Sequence, residues 1–124
     1  MEKNPFVIRV YALILNRQNE ILLSDEFRMG MRMTKFPGGG LEYGEGTLEC
    51  LHREALEEFG QDIEITEHFY TTDFFQEAFF YPQHQLISIY YKARFPEPPR
   101  FRISTIPFDF EEETEGNQSF RWMR

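Results

Sequence analysis

The segment from Thr47 to Phe59 constrains the fold more than any other part of the chain. At about 100° per residue, its apolar side chains fall in one stripe roughly 80° wide, which is the width of a core-facing helix surface. Gly46 or Thr47 is placed to cap the start, and Gly60 is placed to end the helix. The pattern therefore predicts one amphipathic helix, whose stripe comprises Leu48, Leu51, Ala55 and Phe59.

The opposite side of this helix is acidic. Glu54, Glu57 and Glu58 fall within an arc of about 100°, where like charges repel each other by a few tenths of a kcal/mol per pair. Carboxylates in the last turn also oppose the helix dipole. A divalent cation accepts such oxygen ligands together with water and phosphate. A solvated acidic face is the ordinary alternative, and the helix pattern alone leaves both interpretations open.

A proline and three glycines precede the helix. The run from Phe36 to Gly40 is predicted to exclude regular structure, while its glycines, including Gly39, allow the backbone to approach a bound substrate closely. Three basic residues come just before this run and either hold substrate phosphates or are ordinary exposed side chains. They are Arg28, Arg32 and Lys35.

The remainder of the chain favours strands. The segment 6–15 is rich in β-branched and aromatic residues, and the turn-prone residues 16–19 lead into residues 20–23, which predicts a hairpin. Residues 24–35 show no clean period and are interpreted as a loop or irregular strand. Further strands are expected at 63–75, 85–95 and 119–123. With the helix these elements make an α/β (α+β) fold, and because no linker or repeat occurs we expect one domain over residues 1–124.

The residues from Gly39 to Gly60 resemble the Nudix box of the Nudix hydrolases. They read Gly-Gly-Leu-Glu-Tyr-Gly-Glu-Gly-Thr-Leu-Glu-Cys-Leu-His-Arg-Glu-Ala-Leu-Glu-Glu-Phe-Gly, and every fixed identity of the box is present at its spacing. Departures occur only at variable aliphatic positions, where Ala55 is small and Gln61 is polar. The fixed identities are Gly39, Glu45, Arg53, Glu54, Glu57, Glu58 and Gly60.

The resemblance implies roles for the box residues. Glu57 and Glu58 would bind the catalytic Mg²⁺ or Mn²⁺, with the backbone carbonyl of Gly38 nearby. Glu54 would be a further ligand, or the group that orients or deprotonates the attacking water. The resemblance also implies a pair between Arg53 and Glu45 that locks the loop against the helix.

The family fold and reaction follow from the same resemblance. The fold is a mixed sheet between helices, in which the box forms a loop, helix, loop unit. The reaction is hydrolysis of a nucleoside diphosphate linked to another moiety, so the expected partner is a small nucleotide or nucleotide derivative. Many family members take an extra metal-binding carboxylate from a loop before the final strand. Glu115, or else Glu113, lies where that carboxylate is expected, although a solvated acidic loop fits equally well.

Two other classes of function compete with catalysis. One is a non-catalytic Nudix-like module that binds a nucleotide or a partner protein, and the other is a plain acidic interaction domain. Binding alone does not need all of the box glutamates, so a non-catalytic relative is expected to lose some of them. Because this chain has kept every one, we favour the enzyme.

Charge and composition exclude several partners. The thirteen Lys and Arg against twenty-one Asp and Glu give a net charge of −8, which disfavours a nucleic-acid polymer. No apolar run approaches the roughly twenty residues of a membrane helix, and the N-terminus does not match an export signal. The lone Cys50, predicted on the polar side of the helix, cannot form an internal disulfide. We therefore expect a cytoplasmic protein without a membrane partner.

The end of the sequence suggests a homodimer. In the family fold a second helix usually follows the final strand and covers the sheet, yet only Arg124 follows the predicted strand 119–123. Without that helix, apolar side chains of 6–15 and 86–91 would face water. Either the sequence is a shortened piece of a protein or another subunit covers this face. We expect a homodimer that buries at least about 1,000 Å².

Overall fold

A computed structural model describes residues 5–124 of the protein. Within these residues there are seven strands and a single helix. The strands are β1 (Phe6–Ile14), β2 (Ile21–Arg28), β3 (Met31–Lys35), β4 (Gly38–Gly40), β5 (Glu64–Thr71), β6 (Gln85–Arg94) and β7 (Gln118–Met123), and the helix is α1 (Thr47–Phe59).

The strands form two sheets. The first has the order β4-β1-β6-β5, in which β1 runs parallel to β6 and antiparallel to β4. The second has the order β3-β2-β7 and is antiparallel throughout. Helix α1 packs against β4 and β1, which brings the glycine strand beside the acidic face of the helix. This architecture confirms the predicted mixed α+β fold class.

Helix α1 begins and ends where the sequence predicts. Gly46 is extended at the N-cap, with φ −81° and ψ 171°, and its N–H donates to Glu49 Oε1 at 2.9 Å. Gly60 adopts a left-handed conformation with φ 69° and donates to the carbonyl of Leu56. Both ends are therefore set by glycines and contacts within the helix or its first turn.

The buried stripe of α1 is rotated relative to the predicted one. Leu51, Ala55 and Phe59 are buried as expected, whereas Leu48 is 47% exposed. Cys50 is fully buried instead of lying on the polar side, because β4 covers that edge of the helix and its Gly40 carbonyl lies 3.6 Å from Cys50 Sγ. Burial also raises the pKa of this thiol to about 12, which makes it a poor nucleophile.

The core lies between α1 and the first sheet. Alternate side chains of β1 point toward the helix, and they are Val10, Ala12 and Ile14. The ring of Phe59 stacks on Phe101 with centroids 4.6 Å apart, and it meets Phe95 and Phe120 edge-on. These aromatic contacts join the end of the helix to β7 in the second sheet, so the two sheets share one core.

The predicted hairpin at residues 6–23 is wrong. Strands β1 and β2 lie in different sheets, and the connection between them is pinned by an isolated bridge between Leu15 and Ile21 and by a hydrogen bond from the Asn16 N–H to the Glu20 carbonyl. Strand β2 extends to Arg28 and forms a hairpin with β3, so most of residues 24–35 belong to regular strands, whereas the sequence predicts a loop or irregular strand. The turn uses positive φ angles at Met29 and Gly30, of 53° and 76°. Pairing of β2 with β3 and β7 therefore makes this segment regular although its sequence shows no clean period.

The prediction that Phe36–Gly40 excludes regular structure is also wrong, because Gly38–Gly40 form β4. Gly38 has φ 144°, and a β-carbon there would be 2.8 Å from Tyr11 Cα. Glycine thus allows the strand to pair closely with β1 while its backbone adopts an angle that other residues rarely take.

A buried ion pair joins β2 to β7. Asp25 is fully buried and accepts a 2.6 Å hydrogen bond from Arg121 Nε and a 2.7 Å bond from Thr34. Burial alone would raise the pKa of Asp25, but the hydrogen bonds from Arg121, Thr34 and the Phe108 N–H lower it below the ordinary value. Asp25 is therefore held in its charged form, and the ion pair joins the two strands at the centre of the second sheet.

The face of the first sheet that points away from α1 is partly covered. Tyr11 and Tyr90 lie opposite each other on that face and stack with centroids 5.4 Å apart. Exposed aromatic side chains gather instead on β5 and the segment after it, and they include Phe69, Phe74, Phe75 and Phe79. No helix within residues 5–124 is long and apolar enough to cross a membrane.

Candidate active site

Arg53 is the centre of the charged network on α1. Its Nε and Nη2 lie 3.0 and 2.7 Å from the two carboxylate oxygens of Glu45, which is a bidentate pair across the loop. Its Nη1 lies 3.0 Å from Glu54 and 3.3 Å from Glu57. The hydrogen bonds from Arg53 hold the pKa of Glu45 down to about 2. One guanidinium thus ties the loop to two box glutamates.

Glu54 lies against the glycine strand. Its carboxylate fills the space beside Gly39 that a β-carbon at that position would occupy. Only 17% of the Glu54 side chain is exposed. Burial raises the pKa of this carboxyl, although the ion pair with Arg53 opposes the change. Gly39 is therefore the residue that allows Glu54 to approach β4.

Glu58 is the most enclosed of the box carboxylates. Its Oε1 accepts a 2.7 Å hydrogen bond from Gln118 Nε2 on β7, whereas its Oε2 is buried and has no hydrogen-bond partner among residues 5–124. We call Oε2 the open oxygen of Glu58. Burial raises the pKa of this carboxyl to about 7, against the opposing effect of Lys35. A buried polar atom without a partner is costly, which makes this oxygen a candidate ligand for a bound cation.

Glu57 differs from its neighbour. Its side chain is 58% exposed and its contact is the ion pair with Arg53 one turn earlier. The two adjacent glutamates therefore differ in burial: Glu58 lies on the interior side of the helix, and Glu57 lies on the solvent side.

The carbonyl of Gly38 lies on the interior side of the site. It accepts a hydrogen bond from Lys35 Nζ at 3.2 Å, and the same ammonium lies 3.1 Å from Glu26. Burial would raise the pKa of Glu26, but the charge of Lys35 and hydrogen bonds from Ser24 and Arg28 lower it. Lys35 is thus a fixed cation beside the glycine strand, with only 18% of its side chain exposed.

Other predicted residues lie at the rim or beyond it. Arg28 donates to Glu26 at 2.6 Å while half of its side chain stays in solvent. Arg32 pairs with Glu113 at 3.2 Å, and both are exposed. Glu115 accepts a hydrogen bond from the Met29 N–H at the β2–β3 turn. The structure therefore brings Lys35 and Arg28 to the site. Arg32, Glu113 and Glu115 instead lie near the turn between β2 and β3.

Sequence reasoning missed two residues of this site, Glu26 and Gln118. They face each other across the β2–β7 pair, and Gln118 contacts both Glu26 and Glu58. Glu26 follows the apolar residues Ile21, Leu22 and Leu23, but its burial is visible only in the structure. Nothing in the local sequence of Gln118 marks it, because its role depends on strand pairing.

The side chains fit a divalent cation. Gly38, Glu54 and Glu58 line one narrow cleft between the glycine strand and the helix together with apolar side chains, and the open oxygen of Glu58 is buried without a hydrogen-bond partner among residues 5–124. Within residues 5–124, no three His, Cys, Asp or Glu side chains converge closely enough to form a complete protein cage. An incomplete set of oxygen ligands suits Mg²⁺ or Mn²⁺, which keep several waters and bind substrate phosphates.

Comparison with known proteins agrees with the motif. The NUDIX domain model matches residues 5–124. An RNA pyrophosphohydrolase of Francisella tularensis subsp. mediasiatica (strain FSC147) is 32% identical over 68 residues, which are 52% of this chain and 43% of that protein. The match thus spans less than half of the curated relative.

Two solved structures share the fold. The MutT protein from Methanosarcina mazei Go1 superposes with a TM-score of 0.66 at 20% identity, covering 96% of this chain and 78% of that one. A NUDIX hydrolase from Nitrosomonas europaea gives a TM-score of 0.67 at 18% identity, covering 95% and 72%. Since the domain model matches nearly the whole chain and the fold agrees, the protein belongs to the Nudix family, and the segment from Gly39 to Gly60 is its Nudix box.

Proposed function

We propose that this protein is a Nudix pyrophosphohydrolase that uses Mg²⁺ or Mn²⁺ to cleave a phosphoanhydride bond in a small nucleotide derivative. The observation that carries the proposal is the open oxygen of Glu58, a buried carboxylate atom without a hydrogen-bond partner among residues 5–124, on a side chain that lines one cleft with Glu54 and Gly38. Family membership and the complete set of box glutamates support the same reaction.

Four groups would hold the cation: the carboxylates of Glu54, Glu57 and Glu58 and the carbonyl of Gly38. A bound divalent cation would neutralise charge on the transferred phosphoryl group. Arg53 fixes the positions of Glu54 and Glu57 through direct ion pairs, and Glu45 holds Arg53 in turn. We assign Arg53 and Glu45 a positioning role on this basis.

Glu54 is also the residue best placed to accept a proton from water. Burial raises the pKa of its carboxyl, so the ionised form is a stronger base than an ordinary glutamate. Its position against Gly39 restricts it to one side of the cleft. In this assignment Glu54 either orients or deprotonates the attacking water while Glu57 and Glu58 hold the cation.

The substrate phosphates would meet the basic residues beside the cleft. Lys35 lies nearest, because it contacts the Gly38 carbonyl directly. Arg28 has a half-exposed guanidinium at the rim, and Arg32 lies farther out beside Glu113. The backbone at Gly39 completes this side of the proposed site.

A phosphate-release screen tests the proposal. The panel contains canonical and oxidised nucleoside triphosphates, nucleotide sugars and dinucleoside polyphosphates, each assayed with coupled pyrophosphatase and with or without Mg²⁺. A short 5′-triphosphorylated RNA belongs in the panel because a relative is named RNA pyrophosphohydrolase, although the charge of −8 favours a small substrate. Metal-dependent release from at least one compound is the expected result. Silence with metal present would favour the non-catalytic binding module.

We further propose that the protein acts as a single domain, as a homodimer and in the cytoplasm. The dimer rests on the exposed aromatic side chains of β5 and the segment after it, because a large apolar patch rarely stays in water on a monomer. The location rests on the single cysteine, which is free and buried.

A further inference from the structure

The side-chain amide of Gln118, at the start of β7, lies between two carboxylates. Its Nε2 is 2.7 Å from Glu58 Oε1 and 3.1 Å from Glu26 Oε2. It is also 2.8 Å from Ser24 Oγ, whose hydroxyl donates to Glu26. An amide nitrogen offers two hydrogens and carries no charge. Gln118 therefore connects Glu26 and Glu58 by hydrogen bonds without adding a charge to either.

This contact makes the two oxygens of Glu58 unequal. Gln118 holds Oε1, whereas the open oxygen has no hydrogen-bond partner among residues 5–124, and the Glu58 side chain lines the cleft with Glu54 and Gly38. The last torsion of a glutamate side chain is otherwise broad, so a carboxylate that is not held rotates over a wide range. One hydrogen bond is sufficient to select the orientation that leaves the other oxygen free.

We propose that Gln118 is a positioning residue for metal binding, which acts by holding Glu58 so that its open oxygen faces the cation. This inference rests on the proposed function, because it assumes that Glu58 is a metal ligand. Gln118 does not touch the cation in this arrangement. Partners that orient metal ligands typically contribute about 10- to 100-fold to metal affinity.

A second buried glutamine provides a matched control. Gln61 accepts a 2.6 Å hydrogen bond from the Arg100 N–H, and its amide faces the carbonyls of Glu97 and Pro98. It is 4% exposed, follows the end of α1 and, in the part of the chain that the structure describes, shares no hydrogen-bond partner with Gln118. Replacing either glutamine removes buried hydrogen bonds, but only Gln118 contacts Glu58.

The test measures Mn²⁺ binding to the metal-free protein by electron paramagnetic resonance, without nucleotide. Gln118→Met keeps the side-chain volume and removes the donor, and we expect its Kd for Mn²⁺ to rise about 10- to 100-fold. Gln61→Met should keep the wild-type Kd within about twofold even if its melting temperature falls, because the hydrogen bonds of Gln61 go to residues 97–100 and not to Glu58. An unchanged Kd in Gln118→Met, or an equal loss in Gln61→Met, would overturn the proposal.

A double-mutant comparison separates action through Glu58 from other effects. Glu58→Gln should weaken Mn²⁺ binding, and Gln118→Met added to it should cause no further loss, because the residue through which Gln118 acts is already changed. Full additivity would overturn the proposal. If Gln118→Met does not fold, Gln118→Asn retains an amide that is too short to reach Glu58, and the same rise in Kd is expected.

These outcomes are distinct from a failure of the proposed function. If the wild type binds Mn²⁺ but hydrolyses nothing in the phosphate-release panel, the proposed reaction is refuted. The comparison of Mn²⁺ binding between the Gln118 and Gln61 variants still tests the positioning role. A wild type that binds no Mn²⁺ would overturn the positioning role itself.

Discussion

The carboxylate of Glu54 lies against Gly39, in the space that a β-carbon at residue 39 would fill. Such a carbon would be 2.6 Å from Glu54 Cδ, which is closer than packed carbon atoms approach. We expect Gly39→Ala to displace Glu54 and to lower kcat by roughly 100-fold, because a misplacement of about 1 Å in a catalytic group costs that much. Steady-state kinetics with saturating Mg²⁺ and the best substrate of the panel measure the effect.

The next glycine in the strand is the control. A β-carbon at Gly40 would meet nothing closer than Arg9 Nη1 at 4.0 Å, and its φ is not positive. Gly40→Ala should therefore keep its activity within a few-fold of wild type. Equal losses at both positions would show that the strand, rather than the space for Glu54, limits the rate.

Replacing Glu57 and replacing Glu58 should have different effects on the free energy of unfolding. We expect Glu57→Gln and Glu58→Gln each to lower turnover by at least about 100-fold if both carboxylates bind the metal. Glu57 is 58% exposed, so its replacement should change the free energy of unfolding by no more than about 0.5 kcal/mol. Turnover assays and urea denaturation of the metal-free proteins measure the two effects. Wild-type turnover in either variant would refute its assignment as a ligand.

Burial of Glu58 predicts a pH dependence of stability in the metal-free protein. Folding raises the pKa of Glu58 from 4.5 to about 7, so this carboxyl binds a proton more tightly in the folded state than in the unfolded state. This contribution is fully present below about pH 4.5 and is lost as the pH rises through 7. Glu58→Gln should therefore reduce the loss of stability over this range, and at pH 8 it should be more stable than wild type by on the order of 1–3 kcal/mol. Parallel pH profiles of unfolding free energy would contradict the burial of this carboxylate.

Metal binding should stabilise the native state. A ligand that binds only the folded protein adds about 2.7 kcal/mol at a hundred times its dissociation constant, so Mn²⁺ should raise the Tm of the wild type. Glu57→Gln should show a smaller shift, because one oxygen donor is lost. Differential scanning calorimetry with a Mn²⁺ titration provides the measurement. Equal shifts in both proteins would place the ion at another site.

The buried pair of Asp25 and Arg121 should be a major contribution to stability. Arg121→Met leaves Asp25 charged, fully buried and without its cation, which costs about 3–5 kcal/mol. Arg102→Met is the matched control, since Arg102 pairs with Asp109 but is 69% exposed, and it should cost less than about 1 kcal/mol. Urea denaturation at pH 7 measures both.

The same pair predicts a response to acid. Because folding lowers the pKa of Asp25 below its usual 3.8, its contribution to stability is present above that pH and is lost as the pH falls further. The difference between wild type and Arg121→Met should therefore shrink below about pH 4. A difference that persists unchanged in acid would show that Arg121 stabilises by packing alone.

The proposed homodimer predicts a species of twice the chain mass at micromolar concentration. The aromatic patch includes Phe75 and Phe79, which are 72% and 73% exposed in the chain. Their joint replacement by serine should shift the protein toward the monomer, because the centre of such an interface is apolar. Sedimentation velocity decides the matter, and a monodisperse 15.0 kDa wild type would contradict the dimer.

Helix α1 could be predicted from the sequence because its determinants are local. Gly46 and Gly60 lie at its two ends, and a repeat near 3.6 residues identifies most of its buried side chains. The resemblance to the Nudix box likewise implies the pair between Arg53 and Glu45, and the structure places these two side chains 2.7 Å apart. Residues that are close in sequence and in one regular element have few alternative arrangements.

Only the tertiary structure decided how the strands pair and what surrounds the box carboxylates. The β-branched and aromatic residues of 6–15 predict a strand, but the predicted hairpin partner was wrong, because pairing with β6 or β7 depends on contacts far along the chain. The same long-range pairing brings Gln118 to Glu58 across 60 residues. The sequence by itself therefore determined the helix, the fold class and the glutamates of the Nudix box, but not Glu26. The enclosure of Glu58, and its open oxygen, depended on long-range packing of the second sheet against the helix.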